Sequence, residues 1–428
     1  SGPAGLFCAI RLTARGVPTV LIERGDKVED RERKNNRFFT EGILDTESNI
    51  QFGEGGAGTF SDGKLNTGTH DPLNGEVLKT FVKFGAPEEI EWLNKPHIGS
   101  DNLKKVVKNM REYLLSQGVK VLFRTKLTDF SCKDGRVTGA TLSVNGKEEK
   151  IDVSAIVLAV GHSARDTFQT CLSRGVSMRR KDFAVGVRIE HTQSEIGFSQ
   201  YGNAYKLLPP ADYKTVSHAS ERAVFSFCMC PGGYVMPATS EEGGVVTNGM
   251  SNYARDGKNA NSALIVQVTG ADFPNESPLA GVEFQRTLER NAFKAGGGAY
   301  KAPVQLVGDF LENKESVAFG SVLPTYARGT EFSDLRAVFP SAITDALKRA
   351  LPDMDRRLKG FCSPDAVMTG VESRTSSPVR IDRNENYESV NTEGLFPAGE
   401  GAGYAGGITS SAADGLRVAD AVFKKLSR

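Results

Sequence analysis

Apolar residues recur at helical spacing near the start of the chain: Leu6, Phe7, Ile10 and Ala14 fall on one face, and Gly16 stands where that helix would end. The run PTVLIE follows and reads as a short buried strand. Helical spacing returns over residues 101–116, where Leu103, Val106, Val107, Met110, Tyr113 and Leu114 share a face. The period then drops to two. VKVLFRTKLTDF, RVTGATLSV and a strand ending in AIVLAV are separated by Lys133-Asp134-Gly135 and by Asn145-Gly146. Turn sequences of that kind predict two hairpins, hence a small antiparallel meander whose last strand rejoins a parallel sheet.

The pattern changes after Arg174. Residues 183–269 carry short β patterns punctuated by glycine, proline and asparagine, and residues 281–360 read as mostly helical. Beyond Ala366 strand and turn signals return, and the chain closes on a strand, a glycine-rich loop and a helix. The fold class expected is α/β: a Rossmann-like dinucleotide-binding unit made from residues 1–174 and 366–428, with a β-rich α+β substrate domain inserted at 175–365.

The first chemical signal is SGPAGL. Gly2 and Gly5 let backbone approach a pyrophosphate, and a helix beginning near Ala4 offers free N–H groups and its positive dipole end. Glu23, 18 residues after Gly5 at the end of the next strand, is placed to accept hydrogen bonds from ribose hydroxyls. Ser1, Pro3, Ala4 and Arg24 complete this candidate binding segment. The chain opens on the serine of a G-S-G-P-A-G turn, so the strand that normally feeds such a turn is expected upstream.

Composition narrows the function. With 53 basic and 52 acidic side chains the net charge is +1, so no global field favours nucleic acid or an anionic membrane. The longest apolar run, AIVLAV, is far below the roughly 20 residues that span a bilayer. Six irregularly spaced cysteines make no disulfide framework and point to a reducing compartment, by default the cytoplasm.

Seven segments then carry a resemblance: SGPAGL, GEGGAGTFSDGKL, PHIGSDNL, AVGHSARDTF, FCMCPGGYV, GVESRTSSPVRI and PAGEGAGYAGGI. Together they span most of the chain, which resembles the FAD-dependent family known as NAD(FAD)-utilising dehydrogenases, within the glutathione-reductase-type flavoproteins. That resemblance implies FAD as cofactor, with NAD(P)H as a transient reductant. It implies that Gly399 and Glu400 reach the ribityl chain and pyrophosphate, while Gly406, Gly407 and Ile408 open a helix toward the flavin pyrimidine. Within GEGGAGTFSDGKL, the cofactor-facing residues are Gly55, Gly56, Ala57, Gly58, Thr59, Ser61, Asp62, Gly63, Lys64 and Leu65. In AVGHSARDTF they are Ala159, Val160, Gly161 and His162.

Lys64 and Arg374 are the candidate catalytic residues. Lys64 reads either as a cation tuning the flavin or as a solvated lysine on a turn, and Arg374 as a substrate or cofactor ligand or as a brace to Glu372. His162 reads as a packing residue rather than a base. Cys228 and Cys230 read first as small buried residues, with a redox role as the minority alternative, and no metal-ligand set is visible. The basic run at residues 31–37 reads as a solvated connection, with adenosine or pyrophosphate contact as its alternative. His97, Tyr300 and Lys301 are further polar candidates with no spacing argument behind them. The expected function is an FAD-dependent oxidoreductase passing hydride between a small organic substrate, or NAD(P)H, and the flavin. An FAD-binding scaffold, an RNA-modification flavoprotein and a prenyl-lipid reductase are the alternatives.

Overall fold

The computed structural model describes residues 1–68 and 71–427. The chain begins with α1 (Pro3–Ala14), β1 (Val20–Ile22), α2 (Val28–Glu41), α3 (Asn74–Lys83) and α4 (Ser100–Ser116). A β-rich stretch follows: β2 (Lys120–Leu122), β3 (Thr125–Lys133), β4 (Arg136–Val144), β5 (Lys147–Asp152) and β6 (Ile156–Leu158), ending in α5 (Arg165–Ser173). Next come β7 (Met178–Arg180), β8 (Phe183–Thr192), α6 (Gln193–Tyr201), β9 (Val216–Ser217), β10 (Val224–Cys230), β11 (Tyr234–Pro237), β12 (Thr247–Met250) and β13 (Asn259–Val268). The last third holds α7 (Ala280–Ala295), β14 (Ala302–Leu306), α8 (Val307–Glu312), β15 (Thr330–Phe332), α9 (Ser341–Asp355), β16 (Val367–Glu372), β17 (Val379–Ile381), β18 (Leu395–Pro397) and α10 (Ile408–Leu426).

The helical periodicity of residues 101–116 becomes α4, which buries Leu103, Val106, Val107, Met110 and Leu114 against α1, α3 and α10. Each such side chain contributes roughly 1.5–3 kcal/mol on leaving water. The meander is present as β3-β4-β5, with its turns at Asp134-Gly135 and Asn145-Gly146, where all four residues have positive φ. That backbone matches the twist of the strands it joins. The single strand expected over VKVLFRTKLTDF is divided into β2 and β3, because Arg124 takes a left-handed φ of 51° between them.

Four short strands form two separate parallel ribbons, β1 with β2 and β18 with β6. Among the described residues no strand pairs with both ribbons, and a large cavity lies between them. The Rossmann-type unit thus draws its parallel strands from both ends of the chain.

The inserted part is organised by a seven-stranded sheet of order β15-β14-β16-β8-β13-β10-β9, antiparallel except at β14–β15. Its central strands β8 and β13 pair over ten residues and are buried almost throughout, with α7 and α9 packed on the sheet to form the largest apolar core. Two boundaries differ from the sequence reading. Residues 281–360 supply β14 and β15 as well as helices. β16, expected in the C-terminal part of the nucleotide unit, pairs with β8 and β14 instead and buries all six of its residues there.

Candidate functional site

Two helices begin at one cavity. α1 starts after Gly2 with Pro3 at its first position, where the missing N–H costs nothing, and α10 starts after Gly407 with no acidic side chain in its first turn. Both N-termini line a cavity of about 1570 Å³.

The third wall is the glycine-rich loop over residues 53–64. Gly56 has φ 66°, and a Cβ there would lie 3.1 Å from the Gly2 Cα, so only glycine lets the loop and the first turn touch. What holds the loop is Arg31. Its guanidinium is fully buried and donates to the carbonyls of Asn49, Ile50, Glu54 and Gly56 at 2.7–2.9 Å. The run at residues 31–37 is thus helical rather than a connection: Arg33 and Arg37 are solvated, as expected, but Arg31 is buried in the protein. It lies in α2, whose buried face carries Val28, Arg31, Asn35 and Phe38.

Most of the sequence candidates meet at this cavity. It is lined by Ser1, Gly2, Pro3, Ala4, Gly5, Glu23 and Arg24, by Gly56, Ala57, Gly58, Ser61, Asp62, Gly63 and Lys64, by Ala159, Val160, Gly161 and His162, and by Glu400, Gly406, Gly407 and Ile408. Four candidates stand behind the wall. Gly55 and Gly399 are turn glycines (φ 81° and 70°), Thr59 packs beneath the loop and donates to the Glu54 carbonyl, and Leu65 belongs to the apolar core. His97, Tyr300 and Lys301 do not line the cavity: His97 stacks on Tyr253 just behind Lys64, with which it forms a backbone bridge, Tyr300 packs edge-on against Phe38 and Phe293, and Lys301 pairs with Glu331.

The charged candidates are engaged in specific ways. Glu23 receives the Ser1 main-chain nitrogen (2.7 Å) and hydroxyl (2.9 Å) and the N–H groups of Gly25 and Gly53 (3.0 Å each). Those four donors fill a carboxylate's acceptor sites, so a ribose hydroxyl would have to displace one of them. Arg24 lies over the Phe52 ring and pairs with Glu47 and Asp166. Asp62 is buried and takes Arg255 at 3.0 and 2.5 Å and Lys64 at 3.1 Å. Burial works to raise its pKa, but the two cations outweigh it and hold the carboxyl below its ordinary value. Lys64 also donates to the Met229 carbonyl on β10, so its charge is fixed at the cavity wall rather than solvated.

Arg374 is a brace, but not to Glu372. It forks onto Glu289 at 2.9 and 2.8 Å and donates to Ser240 (2.5 Å) and Ser163 (3.1 Å). Arg165 meets the same Glu289 carboxylate at 2.7 and 2.9 Å and also reaches Gln285 and Glu241. This buried cluster joins α5 of the nucleotide unit to α7 and the end of β16. Four of the five N–H donors of Arg374 are thereby engaged, although the residue also lines the cavity. Glu372 pairs instead with the fully buried Arg188 at 3.0 and 2.8 Å.

Two cavity groups are shifted toward neutrality. His162 is pushed down to about 3, by burial first and then by Arg374 and Arg165, so its ring is uncharged at pH 7 and unsuited to act as a cationic donor. Glu400 is pushed up to about 7 by burial, with Lys181 opposing. Its carboxyl has no hydrogen-bond partner among the described residues and faces the cavity.

Sequence reasoning missed part of the far wall. Cys228, Asn248, Glu372 and Thr375, from or beside the seven-stranded sheet, line the same cavity. Among these Cys228 carried a signal in its pairing with Cys230, and Glu372 and Thr375 lie in the segment GVESRTSSPVRI; Asn248 carried none.

Residues 182–375 match the family described as FAD-dependent protein, C-terminal domain-like. A Clostridium beijerinckii protein described as "Uncharacterized protein" is 50% identical over 428 residues, spanning 99% of this chain and 80% of its own length. The chain belongs to this family of FAD-dependent proteins. Two solved structures are similar at low identity. A geranylgeranyl bacteriochlorophyll reductase-like protein from Thermoplasma acidophilum shares 12% identity with a TM-score of 0.45, covering 100% of this chain and 77% of its own. The glycerol-3-phosphate dehydrogenase from Bacillus halodurans, complexed with FAD, shares 13% with a TM-score of 0.43, covering 100% and 63%.

The residues present fit FAD. Two helix N-termini suit phosphate oxygens, the glycines of the wall allow close backbone approach, and Glu400 offers an unpaired carboxyl to a hydroxyl-bearing chain. Among the described residues no helix is long and apolar enough to cross a membrane.

Proposed function

We propose that this flavoprotein is an oxidoreductase in which hydride passes between a small organic substrate, or NAD(P)H, and the flavin. The observation that carries the reading is the shared cavity: the starts of α1 and α10 form one side and residues of the seven-stranded sheet form the other. Bound FAD supplies two-electron hydride chemistry; the protein supplies binding, orientation and electrostatics.

In this reading the first turn of α1, with Gly2 and Gly5, binds phosphate. Glu400 accepts a hydroxyl hydrogen bond in its ionised form. The N-terminus of α10 and the fixed charge of Lys64 present positive potential where negative charge develops on reduction. Asn248 and Thr375 offer polar groups on the substrate side, and the neutral His162 adds no competing charge. The substrate is a small molecule rather than a nucleic acid, in keeping with the net charge of +1. Cytoplasmic residence is supported by six cysteines that are all unpaired.

The test is a visible absorption spectrum of the FAD-loaded protein, recorded anaerobically before and after NADH or NADPH. Bleaching of the flavin bands supports a pyridine-nucleotide-driven reductase. Bound flavin that no nicotinamide and no panel of organic reductants bleaches overturns the oxidoreductase reading.

A further inference from the structure

The ladder between β10 and β13 breaks between Phe227 and Cys230. At the break Cys228 takes a left-handed backbone with φ 45°, a conformation that costs roughly 1–2 kcal/mol for a residue bearing a side chain. In a regular strand the side chains of residues i and i+2 stand roughly 7 Å apart. Here the distortion lets the Cys230 thiol reach back to the Cys228 carbonyl at 3.3 Å. Cys228 lines the cavity; Cys230 is buried behind it.

The surroundings are electropositive at close range. Lys64 donates to the carbonyl of Met229, the residue between the two cysteines, and Arg188 donates to the Cys228 carbonyl at 3.0 Å. Other charged groups face the pair from the elements packed against β10: Asp62 on the glycine-rich loop, Glu372 on β16 and Glu400 on the loop before α10. The hydrogen bond from Cys230 holds the Cys228 thiol well below its usual range against burial, with Lys64 and Arg188 assisting and Asp62 opposing. Cys230 goes the other way, its proton retained by the same contact. Every other thiol is pushed up by burial: Cys8 and Cys171 to about 12, Cys132 and Cys362 more mildly.

We propose that Cys228 is a nucleophilic thiolate at the cavity wall that exchanges with small disulfides. Its sulfur forms a new S–S bond with one sulfur of the incoming disulfide as the old S–S bond breaks. The departing sulfur leaves with that bond's electron pair as a thiolate and takes a proton from water. No external oxidant or reductant is consumed. The Cys230 thiol, within reach of the first, stabilises the attacking sulfur.

The reaction is read on the protein without added flavin, so its outcome is separate from the hydride-transfer reading. The protein is treated at pH 6 with iodoacetamide, and in parallel with cystamine, and modification of all six cysteines is followed by peptide mass spectrometry. Each unit of acidification below an ordinary thiol gains about tenfold in thiolate and loses about threefold in nucleophilicity, so several units leave an advantage of about tenfold or more. Cys228 is therefore expected to react about tenfold faster than the exposed Cys132 with both reagents. Lys64→Met should move the midpoint of the Cys228 pH profile upward, and Lys64→Arg should restore it. Reaction at Cys132 as fast as at Cys228, or a profile unmoved by Lys64→Met, overturns the thiolate; alkylation without cystamine exchange overturns the disulfide as its partner.

Discussion

Arg374 and Glu289 meet fork to fork, Nε to Oε1 at 2.9 Å and Nη2 to Oε2 at 2.8 Å, with both side chains at most 3% exposed. Arg165 shares that carboxylate from α5, so one buried anion ties together an element of the nucleotide unit, a helix of the inserted part and the loop after β16. Removing one partner of a buried pair commonly costs about 3–5 kcal/mol, because the other charge is left unpaired. Arg374→Met leaves Glu289 its bond to Arg165, so its cost is expected at the low end, about 3 kcal/mol. Glu289→Gln takes the shared carboxylate from both arginines, of which only Arg165 keeps another, Glu241, and is expected to cost more. Denaturant melts of the two variants check the order; equal, sub-kilocalorie effects would show that the cluster does not clamp the two parts.

The same cluster predicts acid sensitivity. Glu289 and Glu241 are held below the ordinary carboxylate range: burial works to raise both, and arginines outweigh it, bringing Glu241 to about 2. A carboxyl depressed in the folded state contributes stability that is present above its unfolded pKa and is lost as pH falls through the folded one. Stability is thus expected to decline from about pH 5 toward pH 2. The decline should be shallower in Glu241→Gln, measured by urea melts across that interval.

Glu400 has the opposite sign. Its folded pKa of about 7 lies above the ordinary 4.5, so the folded state holds a proton that the unfolded state has released. That contribution is full below the unfolded pKa and is lost as pH rises through the folded one. Between pH 4.5 and 7 stability should therefore fall on this account, by about 1.4 kcal/mol per unit at most. Glu400→Gln removes the slope. Melting temperature against pH for the wild type and the variant, both without FAD, checks it; parallel curves would mean that Glu400 titrates as an ordinary surface carboxyl.

Arg31 supplies a prediction about affinity. Its guanidinium satisfies four carbonyls of the segment that becomes the cavity's glycine-rich wall, a planar fork that a lysine ammonium cannot reproduce. Arg31→Lys keeps the charge and loses at least two of those bonds, each worth about 1.5–3 kcal/mol when the donor is charged. FAD affinity, followed by quenching of flavin fluorescence, is expected to fall at least tenfold. Unchanged affinity would show that the loop holds its shape without Arg31.

Local patterns carried much of this in the sequence, and long-range partnerships carried the rest. The helix α4 and the meander β3-β4-β5 were legible because periodicity and turn residues act over a few positions. The glycine segments at residues 1–5, 53–64 and 399–408 were legible as backbone that must come close to something. Arg31 was not: a charged residue in RERKNNR looks solvated until distant carbonyls converge on it. For Arg374 the sequence offers only a neighbour, Glu372, as a bracing partner, whereas its partner Glu289 lies 85 positions away. Cys228 was visible as half of a pair, but its exposure to the cavity depends on a bulge that no local pattern announces. β16 was misplaced for the same reason, since six buried residues of a strand do not say which sheet they join.

The last prediction separates what glycine does for the fold from what it does for the cofactor. At Gly401 an added Cβ would lie 2.5 Å from the Gly161 carbonyl oxygen, whereas at Gly406, on the cavity wall, it would meet nothing within 4 Å. Gly401→Ala forces backbone apart and should destabilise the protein with or without flavin. Gly406→Ala should leave the stability of the flavin-free protein within about 0.5 kcal/mol, the range of a surface change. Its methyl group nonetheless projects beside the start of α10, where the bound ring is expected, so FAD affinity should drop at least tenfold. Thermal melts paired with flavin titrations resolve the two effects. A Gly406→Ala protein that binds FAD like the wild type would place the flavin elsewhere in the cavity and remove the N-terminus of α10 from the site.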